Sequence, residues 1–168
     1  GAADRRGGHP RLSPVAPLHA SLSLWTWQWD PTVLGGTLAL GAAYVWLMRG
    51  RATDWSPLAR IYFAGGLLAL LLALESPIDV GGDKYLFSFH MLQHLLLAMI
   101  VPPLLLLGLP QAWRAFDRIT VSPLAANVIF NVVLAVWHLP FLYEATLRNE
   151  PLHVLEHLTF LGVGVLFW

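Results

Sequence analysis

Polar and apolar positions fall into long separate blocks along this chain. Five apolar runs stand out, at about residues 33–48, 58–74, 85–109, 124–139 and 152–168. Each is close to the ~17–25 residues a helix needs to cross a bilayer. The punctuation between them agrees. Ser56-Pro57 and Ser122-Pro123 each put a capping hydroxyl before a proline in the first helical turn, and Pro151 opens the fifth run in the same way. Gly108 and Pro110 close the third run. Pro102-Pro103 falls inside it and is expected to kink or break it. The pattern predicts an all-α, polytopic transmembrane helical bundle over residues 31–168. Residues 1–30 read as a tail that ends in Trp25, Trp27 and Trp29. That period-two trio suits an interfacial aromatic anchor. A tail packed on the protein's own surface is the other reading.

Composition supports the membrane assignment. The chain is 57% hydrophobic and only 12% charged, too little charge to cover a soluble domain of 168 residues. The formal net charge is zero, with no basic stripe for nucleic acid. There is no cysteine, which excludes disulfides and thiolate metal sites and leaves His, Met and carboxylates as metal ligands. The chain opens on Gly1 with no signal peptide before the first run, and Leu158–Trp168 ends within an apolar run. Both ends suggest a piece of a longer polytopic protein.

Charge sets an orientation. The loops after the first and third runs carry Arg49, Arg51, Arg60, Arg114 and Arg118, whereas those after the second and fourth carry only Lys84 and Arg148, among Glu75, Asp79, Asp83, Glu144 and Glu150. The Arg-rich loops are therefore expected on the cytoplasmic side, with the N-terminal tail outside. Arg5, Arg6 and Arg11 in the tail are far from the first span and weaken this slightly.

With that orientation, His90, His94, His138, His153 and His157 all fall in the outer leaflet, on three different spans. His9 and His19 lie in the tail and read as solvated. A lone interfacial histidine is usually a polar anchor. Five at one depth point instead to a metal or haem site, because ionisable groups inside a membrane are costly and commonly functional. His90/His94 and His153/His157 are both i, i+4 pairs, which stack two imidazoles on one helix face and can chelate one ion. Met91 adds a soft thioether suited to Cu(I). Glu156 is a further ligand or a hydrogen-bond acceptor for His157. The i, i+4 pairs favour a compact metal site, while one haem with axial histidines from two helices stays open. The acidic stretch Glu75–Asp83 reads as a solvated turn, too poor in ligands for a calcium loop. Gly35-Gly36, Gly65-Gly66, Gly162 and Gly164 read as close-packing positions. There is no phosphate loop, nucleophile elbow or catalytic triad, so nothing indicates an enzyme.

Several blocks resemble the CtaG family of cytochrome c oxidase assembly proteins. They are Glu75-Ser-Pro-Ile-Asp79, Tyr85-Leu-Phe-Ser-Phe-His90-Met-Leu-Gln-His94, Pro102-Pro103 through Gly108, Trp137-His138-Leu-Pro140 with Tyr143-Glu144, and His153-Val-Leu-Glu156-His157. The resemblance covers about residues 30–168. It implies a multi-pass bacterial inner-membrane protein of about seven spans, more than this chain carries. It also implies a task in bringing copper to haem–copper oxidase, with oxidase subunits as partners. Two other functions compete with this one. The first is a haem-binding electron-transfer subunit. The second is a metal-free structural subunit of a respiratory or photosynthetic complex. A transporter has less support, because no pair of broken helices recurs in two halves.

Overall fold

The structure is a computed structural model that describes residues 27–49, 56–84, 86–110 and 121–168. Trp25, Arg51, Tyr85, Arg114, Arg118, His9 and His19 lie outside the described residues. Every described element is helical.

Helix α1 (Pro31–Met48) starts where the Asp30 carboxylate accepts hydrogen bonds from the Thr32 hydroxyl and N–H, both at 2.7 Å. Those bonds, the hydroxyl's foremost, hold the Asp30 carboxyl below its ordinary value of 3.8. Helix α2 (Pro57–Glu75) starts where Ser56 accepts from the Ala59 N–H. After Ser76 the chain continues as α3 (Pro77–Lys84). Helix α4 (Phe87–Leu95) runs through a π-helical turn (Leu96–Ile100) into α5 (Val101–Gly108). Pro102 and Pro103 have no N–H to offer the carbonyls of Ala98 and Met99, so the expected disturbance of the third run takes the form of this widened turn. Helix α6 (Pro123–Trp137) is capped by Ser122. It meets α7 (Pro140–Thr146) at a bend of 72°. Asn149 caps α8 (Glu150–Phe167).

Among the described residues, three stretches are long and apolar enough to cross a membrane: Pro31–Met48, Pro57–Gly82 and Phe87–Gly108. The bent α6–α7 pair makes a fourth if it is one span. The expectation of five spans is corrected on two counts. The 15 residues of α6 rise only about 22 Å at ~1.5 Å each, short of the ~30 Å hydrocarbon core. Helix α8 opens with Glu150, His153, Glu156 and His157, which dilute its apolar character.

The α2–α3 arm runs antiparallel to the α4–α5 arm, with Phe63 against Gly108 at one end and Gly82 against His90 at the other. Helix α8 lies alongside α4 in the same direction, with His153 beside His90 and His157 beside His94. This packing depends on Gly164. A Cβ there would sit 2.5 Å from the Ala98 carbonyl oxygen and 2.6 Å from Pro102 Cγ. Helix α6 returns antiparallel to α8, with Phe130 against Phe167 at 5.1 Å. The core between these helices comprises Ala69, Leu70, Ala73, Leu97, Ala98, Val101 and Phe160. Helix α1 docks through Tyr44, which stacks on Phe63 and donates to the Gly108 carbonyl at 2.8 Å. Outward faces stay apolar, as Leu38, Trp46, Ile61, Leu68, Leu124 and Val132 illustrate, and suit contact with lipid.

Three sequence readings need amendment here. Gly66 and Gly164 are close-packing positions, but Gly35, Gly36 and Gly162 face open space and Gly65 makes only an ordinary contact at 3.9 Å. The stretch from Glu75 is not a solvated turn, since most of it is helix α3 and both Glu75 and Asp79 are buried. Around the aromatic trio, Trp27 and Trp29 are exposed, while the Gln28 side chain and the Asp30 backbone N–H donate to the Asp79 and Glu75 carboxylates. These polar contacts tie the segment to the bundle.

Candidate metal centre

The i, i+4 spacing on α4 brings the rings of His90 and His94 to 4.1 Å between centroids. Both side chains are fully buried, at 0% and 1% exposure. Gly82 makes room behind them, because a Cβ on it would lie 2.9 Å from both Cα and N of His90. Neither ring nitrogen of His90 has a hydrogen-bond partner, and neither has one on His94. Nε2 of His94 does lie 3.6 Å from Oε1 of the buried Glu156. Leaving a buried polar atom unsatisfied costs about 1–3 kcal/mol. A run of such atoms in one core needs an explanation, and a bound ion is one.

His138 arrives from the end of α6. Its Nδ1 lies 2.7 Å from the Leu134 carbonyl oxygen, which can only accept, so Nδ1 donates. That bond fixes the tautomer and leaves Nε2 with a lone pair, as metal-ligating histidines usually have. Nε2 lies 3.0 Å from Sδ of Met91. One ligand atom from each of His90, His94 and His138 falls within 4.8 Å of the others. The bend after Trp137 is what brings His138 in. It also swings α7 back so that the Tyr143 ring stands edge-on to His90 at 5.2 Å and to Phe87 at 5.7 Å.

The other pair comes from α8. His153 and His157 are 4.2 Å apart, His153 is 6.3 Å from His90, and His157 is 5.7 Å from His94. Nε2 of His157 is buried without a hydrogen-bond partner. Phe160, one turn further on, packs its ring 4.3 Å from His94 and closes the cluster toward the core. All five histidines singled out in the sequence thus meet in one place, together with Met91 and Glu156.

The donor set fits a transition metal. It offers imidazoles, one thioether and one carboxylate, and no thiolate. Imidazole serves copper, zinc and nickel, and the thioether adds preference for Cu(I).

Sequence reasoning missed a layer on the far side of α4. Gln93, fully buried between the two α4 histidines, donates to Asp79 Oδ1 at 2.6 Å and to the Ala73 carbonyl at 3.1 Å. Gln28 donates to Asp79 Oδ2 at 2.8 Å. The signal was a glutamine inside an apolar run, one residue before His94. Gly82, Tyr143 and Phe160 were also missed as shapers of the site.

An uncharacterized protein of Mycobacterium bovis is 27% identical over 173 residues, covering 86% of this chain and 26% of the relative. An uncharacterized protein of Mycobacterium tuberculosis matches with the same identity and coverage, 27%, 86% and 26%. The chain thus spans about a quarter of the length of the curated relatives it matches. No solved structure matches the chain. The family model for the cytochrome c oxidase caa3 assembly factor matches residues 42–168, which takes in every histidine of the cluster. The chain belongs to the CtaG family of cytochrome c oxidase caa3 assembly factors.

Proposed function

We propose that this chain handles copper for cytochrome c oxidase, taking up the ion as cargo in its histidine cluster and passing it toward an oxidase subunit. The family supports the assembly role. The observation that carries the copper reading is His90, fully buried with both ring nitrogens lacking hydrogen-bond partners and set beside His94 and His138. His153, His157, Met91 and Glu156 complete the candidate ligand set. Imidazole nitrogens beside a thioether suit a soft monovalent ion that must later be released.

Copper is favoured over haem because the rings pack against one another. Separations of 4.1 and 4.2 Å within the two i, i+4 pairs suit donors converging on small ions. A porphyrin would have to lie between its axial imidazoles.

The cluster is read as facing the extracytoplasmic side of the inner membrane, with the N-terminus outside. Arg49 and Arg60 sit at the opposite end of the bundle from the histidines, as the positive-inside rule would have it. That placement suits copper arriving from outside the cell. The role is delivery and not turnover.

The test is metal content and an optical spectrum on detergent-purified protein, beside the His90→Ala/His94→Ala variant. Copper lost in the variant supports the reading. A Soret band would replace copper with haem. Folded protein with neither signal would leave a structural subunit whose histidines serve packing.

A further inference from the structure

We propose that the histidine cluster is a two-ion site. In it, α4 and α6 hold one copper ion, and α8 holds a second, divalent ion beside it. This rests on the copper reading above and divides its ligands.

The first argument is the number of donors. Five imidazoles, one thioether and one carboxylate make seven side chains at one cluster. Protein sites for copper or zinc use about four. The excess is not scattered. It falls into two groups, His138 with Met91 and the histidine pair on α8.

The second argument is placement. His138 lies 5.4 Å from His94 and 6.4 Å from His90, with its Nε2 beside Met91. The three histidines hold the nitrogen atoms that already converge within 4.8 Å. His153 and His157 pair with each other at 4.2 Å, and each faces one member of the α4 pair at 6.3 and 5.7 Å. Their i, i+4 spacing lets the α8 pair chelate an ion of its own. The buried Nε2 of His157, with no hydrogen-bond partner, is a donor atom for that ion.

The third argument is charge and softness. The α4–α6 group is neutral and carries the thioether, which selects Cu(I). The α8 group contains Glu156, a buried carboxylate. Oxygen and imidazole together suit a divalent ion such as Zn(II) or Cu(II), whose extra charge the carboxylate offsets. His94 borders both groups, since its Nε2 is 3.6 Å from Glu156 Oε1.

The experiment loads detergent-purified chain with Cu(I) under anaerobic conditions, adds Zn(II), and counts both metals by mass spectrometry after desalting. One copper and one zinc per chain are expected. His153→Asn/His157→Asn should lose the zinc and keep the copper, and Met91→Leu/His138→Asn should do the reverse. Monodisperse elution and an unchanged helical circular dichroism signal serve as the folding check. If the double variant on α8 fails it, His157→Asn alone is read in its place. A total that never exceeds one ion, with zinc displacing copper, overturns the two-ion arrangement and leaves the copper reading standing. So does an α8 variant that retains both metals. Wild-type protein that takes up no copper overturns both readings.

Discussion

Nε2 of His138 lies 3.0 Å from Sδ of Met91, although 47 residues separate them in sequence. The helix end at Trp137 and the Leu134 carbonyl fix the imidazole, and α4 fixes the thioether. An imidazole nitrogen and a thioether so placed would give one soft corner to the proposed copper site.

Met91→Leu keeps the volume of the side chain and removes the sulfur, so the fold should survive at a cost below ~1.5 kcal/mol. Cu(I) affinity, read by competition with a chromophoric chelator, should fall about tenfold, which is ~1.4 kcal/mol. Affinity for Zn(II) should barely change, because zinc draws little from a thioether. Equal loss for both metals would mean that Met91 acts through packing.

Gly82→Ala tests how the site is held from behind. The new methyl would meet the backbone of His90 at 2.9 Å, and backbone cannot rotate away as a flexible side chain can. Overpacking of this kind typically costs about 1–3 kcal/mol. The strain falls on the helix segment that carries the first ligand. Copper affinity should therefore drop about tenfold, in the range seen when the groups that orient a ligand are changed. Unchanged affinity would show that α3 can shift without moving His90.

The sequence made the histidine cluster legible and overstated the span count, and the two have one cause. Histidines recur at i, i+4 on His90/His94 and His153/His157, a local periodicity that survives any tertiary detail. Apolar length is also local, but a span needs a continuous helix. Pro140 and the bend after His138 interrupt the fourth run at the ligand itself. The polar first turns of α8, which weaken the fifth run as a span, are the turns that build the site. The buried layer of Asp79 and Gln93 was not legible, because whether a carboxylate near a helix end faces water or a glutamine depends on packing between α3 and α4.

Gln93→Leu removes that layer. The amide bonds Asp79 and the Ala73 carbonyl from a fully buried position. Replacing it takes one donor from a buried carboxylate and another from a backbone carbonyl, at about 1–3 kcal/mol in total if each loses a typical buried bond. Thermal unfolding in detergent should show a lower midpoint, and Gln93→Glu should be worse, because it sets a second carboxylate against Asp79. Stability equal to wild type would mean that water replaces the amide.

Gly164→Ala addresses the contact that registers α8 against α4. The added methyl would lie 2.5 Å from the Ala98 carbonyl oxygen, within the π-helical turn, and 2.6 Å from Pro102 Cγ. Neither atom can move without shifting the turn. Alanine favours an ordinary helix over glycine by about 1 kcal/mol. Without the clash, then, the substitution would stabilise α8. Gly162 provides that comparison, since a Cβ there meets nothing within 4 Å. Gly162→Ala should raise the thermal midpoint slightly or leave it unchanged. Gly164→Ala should lower it, by an amount set by overpacking of about 1–3 kcal/mol. Helix α8 can relieve the clash only by backing away from α4, which draws His153 and His157 from His90 and His94. Metal uptake should therefore fall in Gly164→Ala and stay intact in Gly162→Ala. If the two variants behave alike, the close approach of α8 to Ala98 does not set the position of the second histidine pair.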